Sequence, residues 1–394
     1  MKTTPPTPNS HLPALTAAYY LSFIILGLFT AIEGPALPGL AHNTASTLDQ
    51  ISLIFIFGSS GYMLGSFLGG QALDRVSGHR LAAANLLLMA ACALVVPLAR
   101  QLWLLLLVLF LLGLNKGALD VGCNTLLLWA HGAKAGPFMN GLHFFFGTGA
   151  FIAPLVLAGV ISLTGAPLWA FWLFGFLCLP LAVWVWRLPE PPGQPAAAAA
   201  GRASFPVVPV ILLALSFLFY VGAEVGFGNW AYTYAITLGL GDTFTAAYLT
   251  SAFWGAFTLG RLLGVWISTR ARAAAILFAD LFGCLLSLGV ILLWSHSVLA
   301  LWIGAIGLGL SMASVFPTIL ILAGERMTVT GAITGWLLAG TGAGGMLLPW
   351  AIGQAFTRVG AEAMPILVSI AVIANILSIG LFVYRPVVKA QTVC

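Results

Sequence analysis

Polar and apolar residues along this chain are sorted into blocks rather than faces. Long apolar runs recur from one end to the other, with short polar breaks between them. An apolar run of about 20 residues is long enough to cross a bilayer as a helix. By that measure the sequence predicts twelve spans. The first six run roughly 13–40, 48–73, 80–98, 101–130, 137–163 and 166–187. The second six run roughly 207–237, 244–269, 272–293, 297–324, 331–356 and 362–384. Pro137 suits the start of a helix, and Pro154 and Pro349 are tolerable inside membrane helices. The longest break, 188–206, holds Pro189-Glu190-Pro191-Pro192-Gly193-Gln194-Pro195 and an Ala run. It reads as a linker between two six-helix halves, 1–187 and 207–394. The expected fold is an all-α membrane protein.

Composition sharpens this picture. Of 394 residues only 6% are charged and 61% are hydrophobic. A soluble domain carries about a quarter charged residues. The 45 glycines suit close helix–helix approach in lipid. The net charge of +5 is spread over short breaks, so it argues against nucleic-acid binding and reads as a topology signal. With an even number of spans, one side carries Lys2, Arg75, Arg80, Lys134, Arg187, Arg202, Arg270, Arg272, Arg326, Arg385 and Lys389. The other carries only Arg100 and Arg358. Both termini are therefore expected in the cytoplasm, with the chain in a bacterial-type inner membrane. The Pro-rich start is followed by a run too long for a cleaved signal, so the first span should be retained. Cys92, Cys123, Cys178, Cys284 and Cys394 form no C-x-x-C pair, so free thiols are expected and no metal site.

The two halves echo each other. Gly65-Ser-Phe-Leu-Gly-Gly70 matches Gly255-Ala-Phe-Thr-Leu-Gly260. Gly147-Thr-Gly-Ala-Phe-Ile-Ala-Pro154 matches Gly342-Ala-Gly-Gly-Met-Leu-Leu-Pro349. Each match pairs a span with its counterpart six spans on, which is a known transporter plan.

Ionisable groups at bilayer depth are costly and mark candidate working parts. Lys116, Asp120 and Asn124 follow i, i+4, i+8 and share a helix face, beside Asn115. Lys116 and Asp120 can pair there, or one of them can take substrate or a proton. Asn140 and His143 on the next span lie at similar depth, so these groups can form one polar layer. Histidine is the side chain that titrates nearest physiological pH. A neutral imidazole holding helices together is the equal alternative. Glu33, between Phe29 and Pro35, reads as a lone buried carboxylate with a proton- or cation-linked role, or as a protonated cap on a helix break. Tyr220, Glu224, Phe227, Ala231 and Tyr234 form one face of a helix, with Asn229 and Trp230 beside it. Aromatic rings around a carboxylate suit a sugar ring, and a packing seam is the bland reading. Trp336 is a further candidate for substrate contact. Arg261 and Asp280 read best as a structural pair.

The loop Gly70-Gln-Ala-Leu-Asp74-Arg75-Val-Ser-Gly78-His79-Arg80 resembles the signature of the major facilitator superfamily, with one extra residue before Gly78 and His79 in a basic position. Three stretches resemble that superfamily's fucose and sodium-dependent glucose transporter branch. They are Asp120-Val-Gly-Cys-Asn124 with Gly136 to Gly147, Tyr220 to Trp230, and Phe316-Pro317 with Glu325-Arg326. The resemblance implies two six-helix bundles, alternating access and a central cavity. It also implies that Asp74, Arg75, Arg80, Glu325 and Arg326 make cytoplasmic gate contacts.

No phosphate-binding loop, nucleophile elbow or metal-spaced Cys/His cluster occurs in the sequence, so no ATP motor or hydrolase is expected. A secondary transporter is the leading expectation. It would move a small polar solute, most simply a sugar, with a proton or sodium gradient, and would act as a monomer without cofactor. A proton-coupled exporter of drugs or metabolites on the same fold is the alternative. A membrane enzyme built on Lys116, Asp120 and His143, or a receptor that does not transport, stand further off.

Overall fold

A computed structural model describes residues 11–73, 75–191, 206–327 and 331–384. Asp74, the terminal basic residues and most of the expected linker lie outside the described residues. Among the described residues there are helices and no strands. The first half of the chain contains α1 (Leu12–Asn43), α2 (Leu48–Ile51), α3 (Leu53–Leu73), α4 (Gly78–Val95), α5 (Leu102–His131), α6 (Ala135–Thr164) and α7 (Trp169–Arg187). The second half contains α8 (Val207–Thr237), α9 (Thr243–Ser268), α10 (Ala273–Leu293), α11 (Val298–Met312), α12 (Val315–Arg326), α13 (Gly331–Val359) and α14 (Ala363–Val383).

These bounds lie within about a turn of those expected, with two breaks that hydropathy does not show. Ser52 separates α2 from α3, and Ala313–Ser314 separate α11 from α12. Pro317 accounts for the second break. It has no N–H to give the carbonyl one turn back, which belongs to Ala313. The opposite holds at Pro35 and Pro38, where α1 continues unbroken, so Glu33 caps no break.

Among the described residues ten spans are long and apolar enough to cross a membrane, with α2–α3 and α11–α12 each forming one of them. The helices α9 and α13 are not among the ten; both are long, but they are richer in Gly, Thr and Ala. The outer faces carry exposed large apolar side chains, such as Trp103, Phe282, Leu293 and Leu299. That distribution suits a lipid solvent and would be a liability in water.

Helix packing repeats along the chain. In the first half α3 packs on α5, α1 on α6 and α4 on α7. In the second half α9 packs on α11, α8 on α13 and α10 on α14. Across the halves α3 meets α13, α6 meets α9 and α1 meets α8. Glycine permits the tightest of these approaches. A Cβ on Gly65 would strike the Leu114 carbonyl, so α3 and α5 touch backbone to backbone.

The contacts across the halves close one end of the molecule. Gly34 of α1 lies against the backbone of Asn229 on α8, and Gly353 of α13 lies against Ser52. Gln354 donates to the Asp49 carbonyl at 2.9 Å. Further in, Ser60 reaches Met346 Sδ at 3.4 Å, and Gly147 lies on Thr258. At the opposite, basic end Asn140, His143 and Trp336 are exposed. The interior therefore opens toward the side that carries Arg75, Arg80, Lys134 and Arg187.

Candidate functional site

The polar groups of the first half sit where α1, α3 and α5 meet. Lys116 is buried on α5 and turns toward α1, placing Nζ 2.7 Å from Glu33 Oε1. Glu33 is therefore paired rather than alone, and Lys116 pairs with it rather than with Asp120. The shared face expected of Lys116, Asp120 and Asn124 divides at this point. One turn further along α5, Asp120 looks toward α3 and accepts a short hydrogen bond from the Tyr62 hydroxyl. Asn124 Nδ2 donates to Asp120 Oδ1 at 2.7 Å and to the Asp120 carbonyl at 2.9 Å. Each carboxylate oxygen thus has a donor. Asn115 is buried and donates to the Leu111 carbonyl at 2.7 Å, leaving its Oδ1 without a partner.

Tyr62 is the contributor that sequence reasoning missed. Its signal is faint, because one tyrosine in a Gly-rich span looks like packing. Only the close approach of α3 to α5 through Gly61, Gly65, Gly113 and Gly117 brings it to Asp120.

Asn140 and His143 do not join this group. No hydrogen bond links either of them to Asp120 or Asn124 among the described residues, so the single polar layer is not formed. His143 instead meets the edge of Phe23, with ring centroids 5.7 Å apart, and lies near Arg261 of α9. Asn140 is exposed one turn nearer the basic end.

In the second half Glu224 is half-buried on α8, beside Tyr220 and Arg261. Its aromatic neighbours do not form an open binding face. Tyr220 is buried and donates its hydroxyl to the Met312 carbonyl at 2.9 Å. Phe227 is buried on Phe253, with centroids 5.0 Å apart. Asn229 turns back to the Val225 carbonyl at 3.0 Å. Trp230 is sealed between Phe55 and Phe356, and its Nε1 donates to the Pro349 carbonyl at 2.9 Å. Two packings account for this: Tyr220 and Phe227 are held inside the second half by α11–α12 and α9, while Asn229 and Trp230 lie in the closed end, where α8 is clamped between α1 and α13. Trp336 is well exposed at the open end of α13.

Arg261 and Asp280 do not pair. Asp280 accepts a short hydrogen bond from Ser314 Oγ. The Arg261 guanidinium lies 4.6 Å from the centroid of the Phe257 ring on its own helix.

Of the residues expected at a gate, Arg75 and Glu325 are exposed. Arg80 lies over Trp186 and Arg326 over Phe382, each at 5.9 Å. The tighter junction there involves Glu190. It accepts from the Ser77 hydroxyl, from Gly78 N at 3.2 Å and from His79 N at 2.9 Å, which caps α4 with a carboxylate. His79 is buried behind it, with Nε2 2.8 Å from the Tyr19 hydroxyl.

Comparison with known proteins agrees with this architecture. A nucleoside transporter of known structure superposes with a TM-score of 0.75 at 14% identity, covering 94% of this chain and all of that one. A bacterial homolog of the human lysosomal transporter Spinster, solved inward-facing and unoccupied, gives 0.74 at 11% identity, over 95% of this chain and 97% of that one. Those likenesses establish the fold. In sequence the chain is 30% identical to sodium-dependent glucose transporter 1A of Mus musculus, over 85% of this chain and 88% of that protein. It is 31% identical to sodium-dependent glucose transporter 1 of Xenopus laevis, over 82% of this chain and 72% of that protein. It is also 26% identical to major facilitator superfamily domain-containing protein 4A of Homo sapiens, over 88% of this chain and 87% of that protein. The family model described as Major Facilitator Superfamily matches residues 19–349. This chain is a multi-pass integral membrane protein that belongs to the major facilitator superfamily of transporters.

Proposed function

We propose that the protein is a secondary active transporter that moves a monosaccharide by alternating access, coupled to a sodium or proton gradient. The observation that carries this reading is the set of charges held at membrane depth between α1, α3 and α5. Glu33 meets Lys116, and Asp120 is gripped by Tyr62 and Asn124. Such groups are costly in a membrane and mark ion and substrate paths. Glu224 stands in the second half as a carboxylate able to accept sugar hydroxyls. The names of the two glucose-transporting relatives favour a hexose as solute and sodium as coupling ion.

The repeated packing pairs support twelve spans in two bundles, 1–187 and 207–394, joined by a linker and rocking about the α1–α8 contact. The basic end is then cytoplasmic, and the structure is the form open to it. Asp120, with Glu33, carries the coupling ion. Asn124, Asn140, His143, Glu224 and Trp336 reach the solute. Tyr220 and Phe227 serve packing within the second half, and Asn229 and Trp230 serve the outer seam. An exporter of drugs would use an open, mainly aromatic cavity, whereas Tyr220, Phe227 and Trp230 are buried.

The test is transport in sealed proteoliposomes. Labelled glucose should accumulate when an inward sodium or proton gradient is imposed, and should only equilibrate without one. No gradient-dependent uptake of any hexose would overturn the reading.

A further inference from the structure

Arg261 carries a guanidinium at membrane depth, yet among the described residues it makes no ion pair within 4 Å and no hydrogen bond. Its Nε is buried without a partner. Its guanidinium lies over the face of Phe257, with Glu224 and His143 near enough to interact with it electrostatically. A guanidinium whose buried Nε lacks an acceptor is the kind of group that a membrane interior tolerates only for a purpose.

Its position gives the purpose. Helices α6 and α9 run antiparallel and meet where Gly147 lies on Thr258. One turn from that contact toward the open end, α6 presents His143 and α9 presents Arg261. Glu224 on α8 lies close enough to interact electrostatically with Arg261. The guanidinium therefore stands at the point where the halves part, between a carboxylate of its own half and an imidazole of the other.

The helix behind it repeats the pattern. Ser251, Trp254, Thr258 and Arg261 follow i, i+3, i+7, i+10, which is one face of α9. Ser251 Oγ, Trp254 Nε1 and Arg261 Nε on that face all lack partners. Thr258 alone is satisfied, by donating to the Trp254 carbonyl at 2.8 Å. A line of unused donors running from the closed end to the open cavity is difficult to explain as packing.

We propose that Arg261 is a substrate-binding residue, whose guanidinium donates in parallel to two neighbouring hydroxyl oxygens of the sugar while Glu224 accepts from a hydroxyl. The fork geometry of arginine matches two adjacent oxygens, which a lysine cannot do as a point donor. Phe257 holds the guanidinium plane from one side. The balance of Arg261 against Glu224 leaves this part of the site near neutral, which suits an uncharged polyol and disfavours a sugar acid. This inference rests on the sugar reading above and assigns a residue that the sequence pattern had given to Asp280.

The experiment measures binding of D-glucose and its monodeoxy analogues to purified protein in detergent. The wild type should bind glucose and lose affinity for at least one analogue. Arg261→Gln should weaken glucose binding about tenfold to a hundredfold, yet bind that one analogue nearly as the wild type does. Arg261→Lys keeps the charge and should recover little of the loss. Glucose binding unchanged in Arg261→Gln overturns the assignment while leaving the sugar reading intact. So does an equal loss across all analogues, which would mean a structural role, and so does full recovery with lysine. A wild type that binds no glucose and no other hexose removes the sugar reading, and this assignment with it.

Discussion

In the first half of the chain Glu33 and Lys116 meet at 2.7 Å, and Tyr62 and Asn124 both donate to Asp120. In the second half Arg261 faces an aromatic ring and its Nε has no acceptor, and Ser251 Oγ and Trp254 Nε1 behind it also lack partners. The same cost, charge at membrane depth, is met internally in one half and left open in the other. A closed network holds a defined geometry and can exchange one small ion without unfolding. An open one has donors to give to a solute. On the proposed reading, the contrast gives ion handling to the closed network of the first half and makes Arg261 and Glu224 the second half's contribution to solute recognition.

The sharpest way to break the contrast is to open the closed network. Glu33→Gln leaves the buried Lys116 ammonium without its partner. Removing one member of a buried pair typically costs about 3–5 kcal/mol, whereas replacing both with neutral groups is often tolerated. Thermal unfolding in detergent should therefore show a strongly destabilised Glu33→Gln. The double variant Glu33→Gln with Lys116→Met should recover most of the loss. A double variant as unstable as the single would mean that the pair is not a closed unit.

That pairing also marks where sequence reasoning stopped. The helices were legible almost to the turn, because lipid imposes one length and one polarity on every span. The functional positions were legible as residue types for the same reason: a charge in an apolar run announces itself. Partners were not. The spacing of Lys116 and Asp120 along α5 is right for a pair, but a helix of this bundle has neighbours on several sides. The choice of Glu33 for one and Tyr62 for the other is made by α1 and α3. Likewise Arg261 and Asp280 lie on consecutive helices, yet their side chains leave in different directions. The aromatic face of α8 reads as a sugar platform until Tyr220 is seen on α11–α12, Phe227 on α9, and Trp230 in the seam that Gly34 and Gly353 let α1 and α13 close. Glycine content hints at contact but not at which helix arrives.

A smaller effect is expected on the open side. Glu224→Gln keeps the shape of the side chain and removes its charge. A hydrogen bond to a charged group contributes roughly 1.5–3 kcal/mol, so affinity for glucose should fall about tenfold to a hundredfold. The thermal midpoint should move less than in Glu33→Gln, since Arg261 interacts with Glu224 at longer range, without the direct 2.7 Å contact that Lys116 makes with Glu33. Titration calorimetry beside a melting curve separates the two. Wild-type affinity in a monodisperse Glu224→Gln would remove the carboxylate from the solute site and leave the contrast resting on Arg261 alone.

The smallest expected effect, in energy, is on coupling. A tenfold ion gradient stores about 1.4 kcal/mol, so one ion per solute can drive at most about tenfold accumulation when the membrane potential is held at zero. Asp120→Asn keeps an acceptor for Tyr62 and the neighbour of Asn124, but removes the negative charge that would hold a cation. Accumulation in proteoliposomes should fall to equality of inside and outside. Exchange of labelled for unlabelled glucose, which needs no gradient, should continue. The two readouts together locate the fault: loss of both would mean that Asp120 is needed for the rocking motion or for the solute. Retention of both would move ion coupling out of the first half. In that case the closed network would be structural, and the division between the halves would fail on the side where it looks most secure.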